Sequence, residues 1–189
     1  MISQIAEVPV LIIGGGPVGL GLANDLGWRG IECLLVEQSD GTIFHPRANA
    51  LNSRTMEFCR RWGIADNVRA AGAPPDCPHD ILYTTGLQGY EIARMARPAH
   101  GGLGPLPHTP ERPQRCNQIW FDPILRDRAA SLESVTLSYR TRFDSFERTD
   151  EGVIATVTDL ESGETRQIAT RYLVACCGGR SAVPKALGV

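Results

Sequence analysis

Residues 8–37 read VPVLIIGGGPVGLGLANDLGWRGIECLLVE, and the reading of this stretch decides the fold. Val8 to Ile13 is a continuous apolar, β-branched run of the kind a strand covered on both faces requires, and a glycine cluster follows it at once. Pro17 to Trp28 then sets Val18, Leu20, Leu22, Ala23 and Leu26 at spacings near three and four, which predicts a helix with one wide apolar face that closes at Gly30. A second apolar run, Ile31 to Val36, ends on Glu37. Strand, helix and strand form a βαβ unit, so the expected fold class is α/β with a parallel sheet.

Inside that unit GGGPVG places Gly14, Gly16 and Gly19 in the G-x-G-x-x-G positions, with Gly15, Pro17 and Val18 between them. Gly14 allows the tight turn out of the strand, Gly16 lets a pyrophosphate approach bare backbone, and Gly19 lets the helix pack close to the sheet. The helix N-terminus then faces the phosphates. Glu37, at the tip of the second strand, is placed to accept hydrogen bonds from a ribose diol and disfavours a 2′-phosphate there. The pattern predicts a dinucleotide site. It leaves open whether the dinucleotide is FAD or a nicotinamide, and a glycine-rich turn in an unrelated fold is the bland alternative.

Composition narrows the classes further. The 189 residues suit one domain or a little more, and a net charge of -2 with 21% charged residues makes no electrostatic case for nucleic acid or an anionic membrane. The first apolar run is too short to span a bilayer and lacks the features of a signal peptide, so the chain reads as cytoplasmic. Cys33, Cys59, Cys77, Cys116, Cys176 and Cys177 contain no C-x-x-C pair, and His45, His79, His100 and His108 show no ligand spacing. Reduced structural thiols and no metal are expected.

Further along, HPRANALNSRTMEFCRRWGI contains a predicted helix from about Ser53 to Trp62, with Met56 and Phe58 available to a core. Just ahead stands Arg47, a cation one loop away from the expected pyrophosphate site, or simply a surface arginine. Residues Pro74 to Pro113 are rich in Gly and Pro, with predicted strands at Asp80 to Thr84 and near Tyr90 to Arg94; a linker is the alternative. Gln118 opens a helix running to about Ser131, where it could equally be an N-terminal polar residue. From Val135 the chain alternates through three or four antiparallel strands, with turns at Asp150 to Gly152 and Glu161 to Gly163. Tyr172 to Cys176 is another buried-type strand, followed by a turn at Gly178 and Gly179, Ser181 as an N-cap, and a short helix over Ala182 to Leu187.

The ordered set VLIIGGGPVGLGLANDL, LLVEQ, PRANALNSRTMEFCRRWGI, CNQIWFDPILRDRA and YLVACCGGRSAVPKALGV resembles the N-terminal part of the FAD-dependent aromatic hydroxylases, the phenol and polyketide monooxygenases. The resemblance implies a Rossmann-like FAD-binding domain, a parallel sheet plus an antiparallel β-meander, over residues 1–73 and 114–189. Residues 74–113 would be the first segment of a substrate-side sheet and its loop. It also implies that Gly14 to Gly19, Glu37 with Gln38, Arg47 over the pyrophosphate, and Gln118 bind the cofactor. FAD would be reduced by NAD(P)H as co-substrate, with O2 and an aromatic small molecule as the other reactants. No catalytic acid, base or nucleophile is expected in these residues, because the cofactor carries the chemistry.

Two positions depart from the family pattern. Cys177 stands where the family has the Asp of an Asp-Gly pair, and Pro184 where it has an Arg. A thiol is a weak hydrogen-bonding partner, so cofactor or nicotinamide binding is expected to suffer. A redox-reactive Cys177 is the functional alternative to an inert thiol or a decayed motif. Because the family continues into a substrate domain, the sequence reads as incomplete relative to the full hydroxylase fold, and self-association or a missing C-terminal half is expected to cover apolar surface. Two other functions remain open: a non-catalytic fragment that has lost the cofactor, and a nicotinamide-binding oxidoreductase.

Overall fold

A computed structural model of the protein describes residues 3–74, 76–96, 106–178, 183 and 187. In chain order the elements are β1 (Ser3–Ile13), α1 (Pro17–Trp28), β2 (Cys33–Val36), β3 (Ala50–Leu51), α2 (Ser53–Arg61), α3 (Ala65–Ala71), β4 (Ile81–Thr84), β5 (Glu91–Met95), β6 (Gln114–Arg115), α4 (Gln118–Ala130), β7 (Val135–Ser138), β8 (Thr141–Thr149), β9 (Gly152–Asp159) and β10 (Thr165–Ala175). They form two compact units, one drawn from Met1–Ala48 with Gln118–Val189 and the other from Asn49–Asn117.

The first unit is built on a six-stranded sheet in the order β7-β2-β1-β10-β9-β8. Strands β7, β2, β1 and β10 run parallel, whereas β10, β9 and β8 pair antiparallel. The apolar run is explained by position: β1 is bonded on both edges, and its Leu11 and Ile12 are fully buried. Leu11 and Ile13 pack with Val8, Val36, Ala155, Val157 and Ile168 in one core cluster, so parallel and antiparallel halves share a single interior. Helix α1 packs against β2 and α4. Between the two helices Asn24, wholly buried, donates from Nδ2 to the carbonyls of Leu20 and Leu125, each at 2.9 Å. These bonds satisfy the Nδ2 donors, while Oδ1 is buried without a partner among the described residues, so only part of the cost of placing an amide in the interior is offset.

Two expectations about strands need correction. Val135–Ser138 was expected to start the antiparallel meander, but it pairs parallel with β2 at the opposite edge. A period-two pattern does not say which strand is the partner. Here α4, immediately upstream, carries the chain back so that β7 enters parallel to β2. Likewise Tyr172–Cys176 is no separate strand: its residues through Ala175 are the second half of β10, whose first half pairs with β9. No turn residue interrupts Thr165–Ala175, so one extended segment serves the meander and the parallel sheet together.

The second unit holds the expected helix as α2, capped by Asn52, whose side-chain oxygen accepts from the Thr55 N–H at 2.8 Å. Met56 is buried, but Cys59 rather than Phe58 takes the next core position. Phe58 instead stacks on Trp62 at 5.6 Å between centroids, with the guanidinium groups of Arg54 and Arg61 over its ring. Helix α3 was not anticipated. Glu111, almost completely buried, is held by Arg60 at 3.5 Å and by Arg69, and burial of a carboxylate on this scale requires such partners. Strands β4 and β5 form an antiparallel ribbon whose Leu82, Tyr83, Ile92 and Met95 are exposed. The expected helix over residues 182–187, its cap Ser181, and Pro184 lie outside the described residues except for Val183 and Leu187.

Candidate dinucleotide site

The site lies within the first unit, at the C-terminal ends of β1, β2 and β10. Gly14 leaves β1 with φ 110°, a conformation glycine adopts without strain, and its N–H donates to the Val36 carbonyl at 2.9 Å. A Cβ there would stand 2.8 Å from the backbone of Cys176 and Cys177. Helix α1 starts at Pro17 with no side chain capping its N-terminus, so its first amides remain open to an anion. Gly19, one turn in, packs directly on the Gly14 carbonyl, since a Cβ would lie 1.9 Å from that oxygen. Gly16 differs: a Cβ there would meet nothing within 4 Å. It faces open space.

That space is a cavity of about 560 Å³. Gly14, Gly16, Pro17, Val18, Glu37, Gln38, Arg47 and Gln118 line it, so eight of the residues singled out from the sequence meet at one place. Gly15 and Gly19 are not in its wall. Gly15 acts from behind, donating its N–H to Glu37 Oε2 at 2.7 Å. The cavity is completed by residues to which no binding role was given in advance, among them Ile13, Val36, Ala48, Thr141, Arg142, Phe143 and Cys176. Thr141 to Phe143 come from β8, and nothing local in their sequence marks them, because they arrive through sheet pairing.

Glu37 is held on all sides. Its N–H donates to the Ser138 carbonyl and its carbonyl accepts from the Thr141 N–H, both at 2.9 Å. Its Oε1 accepts from the Ser39 N–H at 2.8 Å while Oε2 takes the Gly15 N–H. The tight turn that brings Thr141 to Glu37 has Arg140 at φ 51°. An ionised carboxylate offers about four lone-pair sites, so two remain for a ligand. Across the cavity Arg47 is exposed, and its guanidinium makes no ion pair among the described residues. Its backbone N–H donates to Gln118 Oε1 at 2.9 Å.

These groups fit a dinucleotide: an open glycine edge and free helix amides for a pyrophosphate, a carboxylate with spare acceptor capacity for a ribose, and an uncommitted cation nearby. Cys177, in the position where a carboxylate was anticipated, also lines the cavity and is exposed. The adjacent Cys176 thiol is pushed up, chiefly by burial and secondarily by Cys177, which opposes thiolate formation there. Burial likewise pushes Cys33 and Cys59 up to about 11. None of the six cysteines is in a disulfide. Among the described residues no cluster of His, Cys, Asp or Glu is arranged for a metal, and no helix is long and apolar enough to cross a membrane.

Comparison with known proteins gives a consistent result. A family model described as FAD binding domain matches residues 7–189. Tetracenomycin A2 monooxygenase-dioxygenase of Streptomyces glaucescens is 36% identical over 97% of this chain and 35% of its own length. Phenol 2-monooxygenase of Pseudomonas sp. (strain EST1001) is 30% identical over 98% of this chain and 31% of its own length. The chain thus spans about a third of the length of the curated relatives it matches. Among solved structures, the substrate-free rebeccamycin biosynthetic enzyme RebC superposes with a TM-score of 0.88 at 45% identity, covering 98% of this chain and 36% of that one. The flavin-dependent monooxygenase PieE, solved in complex with FAD and substrate, gives 0.85 at 32% identity, over 98% of this chain and 33% of its own.

Proposed function

This chain belongs to the FAD binding domain family, and from that premise we propose that it is the cofactor-binding part of a flavin-dependent monooxygenase acting on an aromatic or phenolic small molecule with NAD(P)H and O2. The observation that carries the reading is the meeting of Gly16, Glu37 and Arg47 around one cavity, each with unused capacity toward a different part of a dinucleotide. The redox chemistry is the flavin's when bound, namely accepting hydride from NAD(P)H and activating oxygen for transfer to the ring.

The chain's own residues bind and orient. The spare lone pairs of Glu37, beside Gln38, accept the hydroxyls of the adenosine ribose. Gly14 to Gly19 and the open amides of α1 receive the pyrophosphate, and Arg47 offsets its charge. Gln118 secures the Arg47 loop, and its assignment to the flavin end rests on the family resemblance. No side chain here is assigned as acid, base or nucleophile. In this reading residues 1–73 and 114–189 serve the cofactor, residues 74–113 begin a substrate-side sheet, and the protein works in the cytoplasm. Further polypeptide, or a second copy, covers the exposed apolar residues of the β4–β5 ribbon.

Titration of the chain with FAD, and in parallel with NAD, followed by flavin fluorescence and calorimetry, tests the proposal. Saturable FAD binding supports it. Binding of NAD alone transfers the site to a nicotinamide oxidoreductase, and binding of neither makes the chain a fold without its cofactor.

A further inference from the structure

Gln118 sits in the cavity wall, and its amide is gripped from two directions. The Arg47 N–H, which can only donate, meets Oε1, while Nε2 donates to Asp122 Oδ2 at 2.9 Å. An amide can be turned over by exchanging its oxygen and nitrogen, and its orientation is decided by what surrounds it. Here an obligatory donor on one side and an ionised carboxylate, an obligatory acceptor, on the other demand the same orientation. The Gln118 N–H adds a third anchor, donating to the Ala48 carbonyl at 3.0 Å.

Asp122 is an unusual choice for this task. It is 3% exposed, and its second oxygen, Oδ1, has no hydrogen-bond partner. Burial of a carboxylate with an orphaned oxygen is costly, and burial pushes its carboxyl up to about 6, the bond from Gln118 offsetting part of this. Packing alone would be better served by an apolar side chain of similar volume. What a carboxylate supplies and an apolar group lacks is the fixed acceptor for Nε2.

We propose that Asp122 is a positioning residue for the cofactor site: by locking the Gln118 amide it holds the Arg47 N–H, and through it the loop that carries the Arg47 guanidinium, against the cavity. This rests on the FAD reading given above. Asp122 acts through Gln118 and touches no ligand.

The test uses the full 189-residue chain and two variants. Asp122→Leu removes the acceptor, whereas Asp122→Asn keeps an oxygen that can accept from Nε2. Hydrogen exchange of the Arg47 amide and the Gln118 side-chain NH2 resonances are followed by NMR without nucleotide, FAD affinity is measured separately, and thermal unfolding monitors stability. Asp122→Leu is expected to speed exchange at Arg47 roughly tenfold, shift the Gln118 resonances and weaken FAD binding by about tenfold, without lowering the melting temperature, because a costly buried carboxylate is gone. Asp122→Asn is expected to retain most of both. Unchanged Arg47 exchange and unchanged FAD affinity in Asp122→Leu overturn the proposal, as does a loss of affinity that merely follows a loss of stability. Should Asp122→Leu fail to fold, Gln118→Met breaks the same link from its other end and must release Arg47 equally. If the unaltered chain binds no FAD, the cofactor reading fails on its own, while the exchange data still decide whether Asp122 holds the loop.

Discussion

The two walls of the cavity are built on opposite principles. The glycine side, with Gly14 and Gly16 in the wall and Gly19 packed behind it, works by absence: Gly14 and Gly19 bring backbone against backbone, and Gly16 leaves its side-chain position vacant. The wall formed by Arg47 and Gln118, with Asp122 behind it, works by presence, through consecutive directed hydrogen bonds. A steric wall should fail abruptly and take the fold with it. A hydrogen-bonded one should loosen by degrees and take affinity first.

The sharpest attack on the steric wall is Gly19→Ala. Its Cβ would stand 1.9 Å from the Gly14 carbonyl oxygen and 3.1 Å from that carbonyl's carbon, backbone atoms rather than the flexible end of a side chain. A stability loss of about 3 kcal/mol or more in urea unfolding is expected, and a loss under about 1 kcal/mol would show that α1 can slide away from β1.

Next in size is the pH response of Asp122. Its carboxyl titrates at about 6 in the folded protein against 3.8 for the ordinary group. The folded state therefore holds the proton more tightly, and the resulting stabilisation is complete below about pH 4 and lost as pH rises through about 6. The unfolding free energy of the unaltered chain should fall relative to that of Asp122→Leu between pH 4 and pH 7, by an amount on the order of 3 kcal/mol. Parallel pH profiles for the two proteins would remove the buried carboxylate from the polar wall.

Two smaller effects separate binding from folding. Gly16→Val fills the vacant edge while meeting no protein atom in Cβ's first shell, so it should cost roughly thirtyfold in FAD affinity and less than about 1 kcal/mol in stability. Equal loss of both would place Gly16 with the packing glycines. Glu37→Gln preserves size but removes the charge and turns one acceptor into a donor. About a tenfold weakening of FAD binding is expected by calorimetry, and an unaffected affinity would move the ribose elsewhere.

The steric wall was legible in the sequence because all its determinants are local: strand, glycines and helix follow one another within residues 8–28, and each has its own pattern. Glu37 was legible for the same reason, at the end of the next apolar run. The polar wall was only half visible. Arg47 and Gln118 are far apart in sequence, and their link is a single backbone-to-side-chain bond that no periodicity records. Asp122, in a helix that also contains Pro123, carries no local mark in the sequence of its burial in the fold. The parallel pairing of β7 was hidden too, since alternation describes which face is covered and says nothing about the neighbour.

One feature of the sheet bears on how the molecule comes to exist. The neighbour that completes β1 is β10, which follows every other strand of the sheet in chain order, and the closing bond runs from the Cys176 N–H to the Ile13 carbonyl. During synthesis, an apolar strand must therefore wait with one edge unpaired until every other strand of the sheet has left the ribosome. Such long-range closure makes folding slow and leaves the nascent chain open to wrong partners, which is when a chaperone has most to protect.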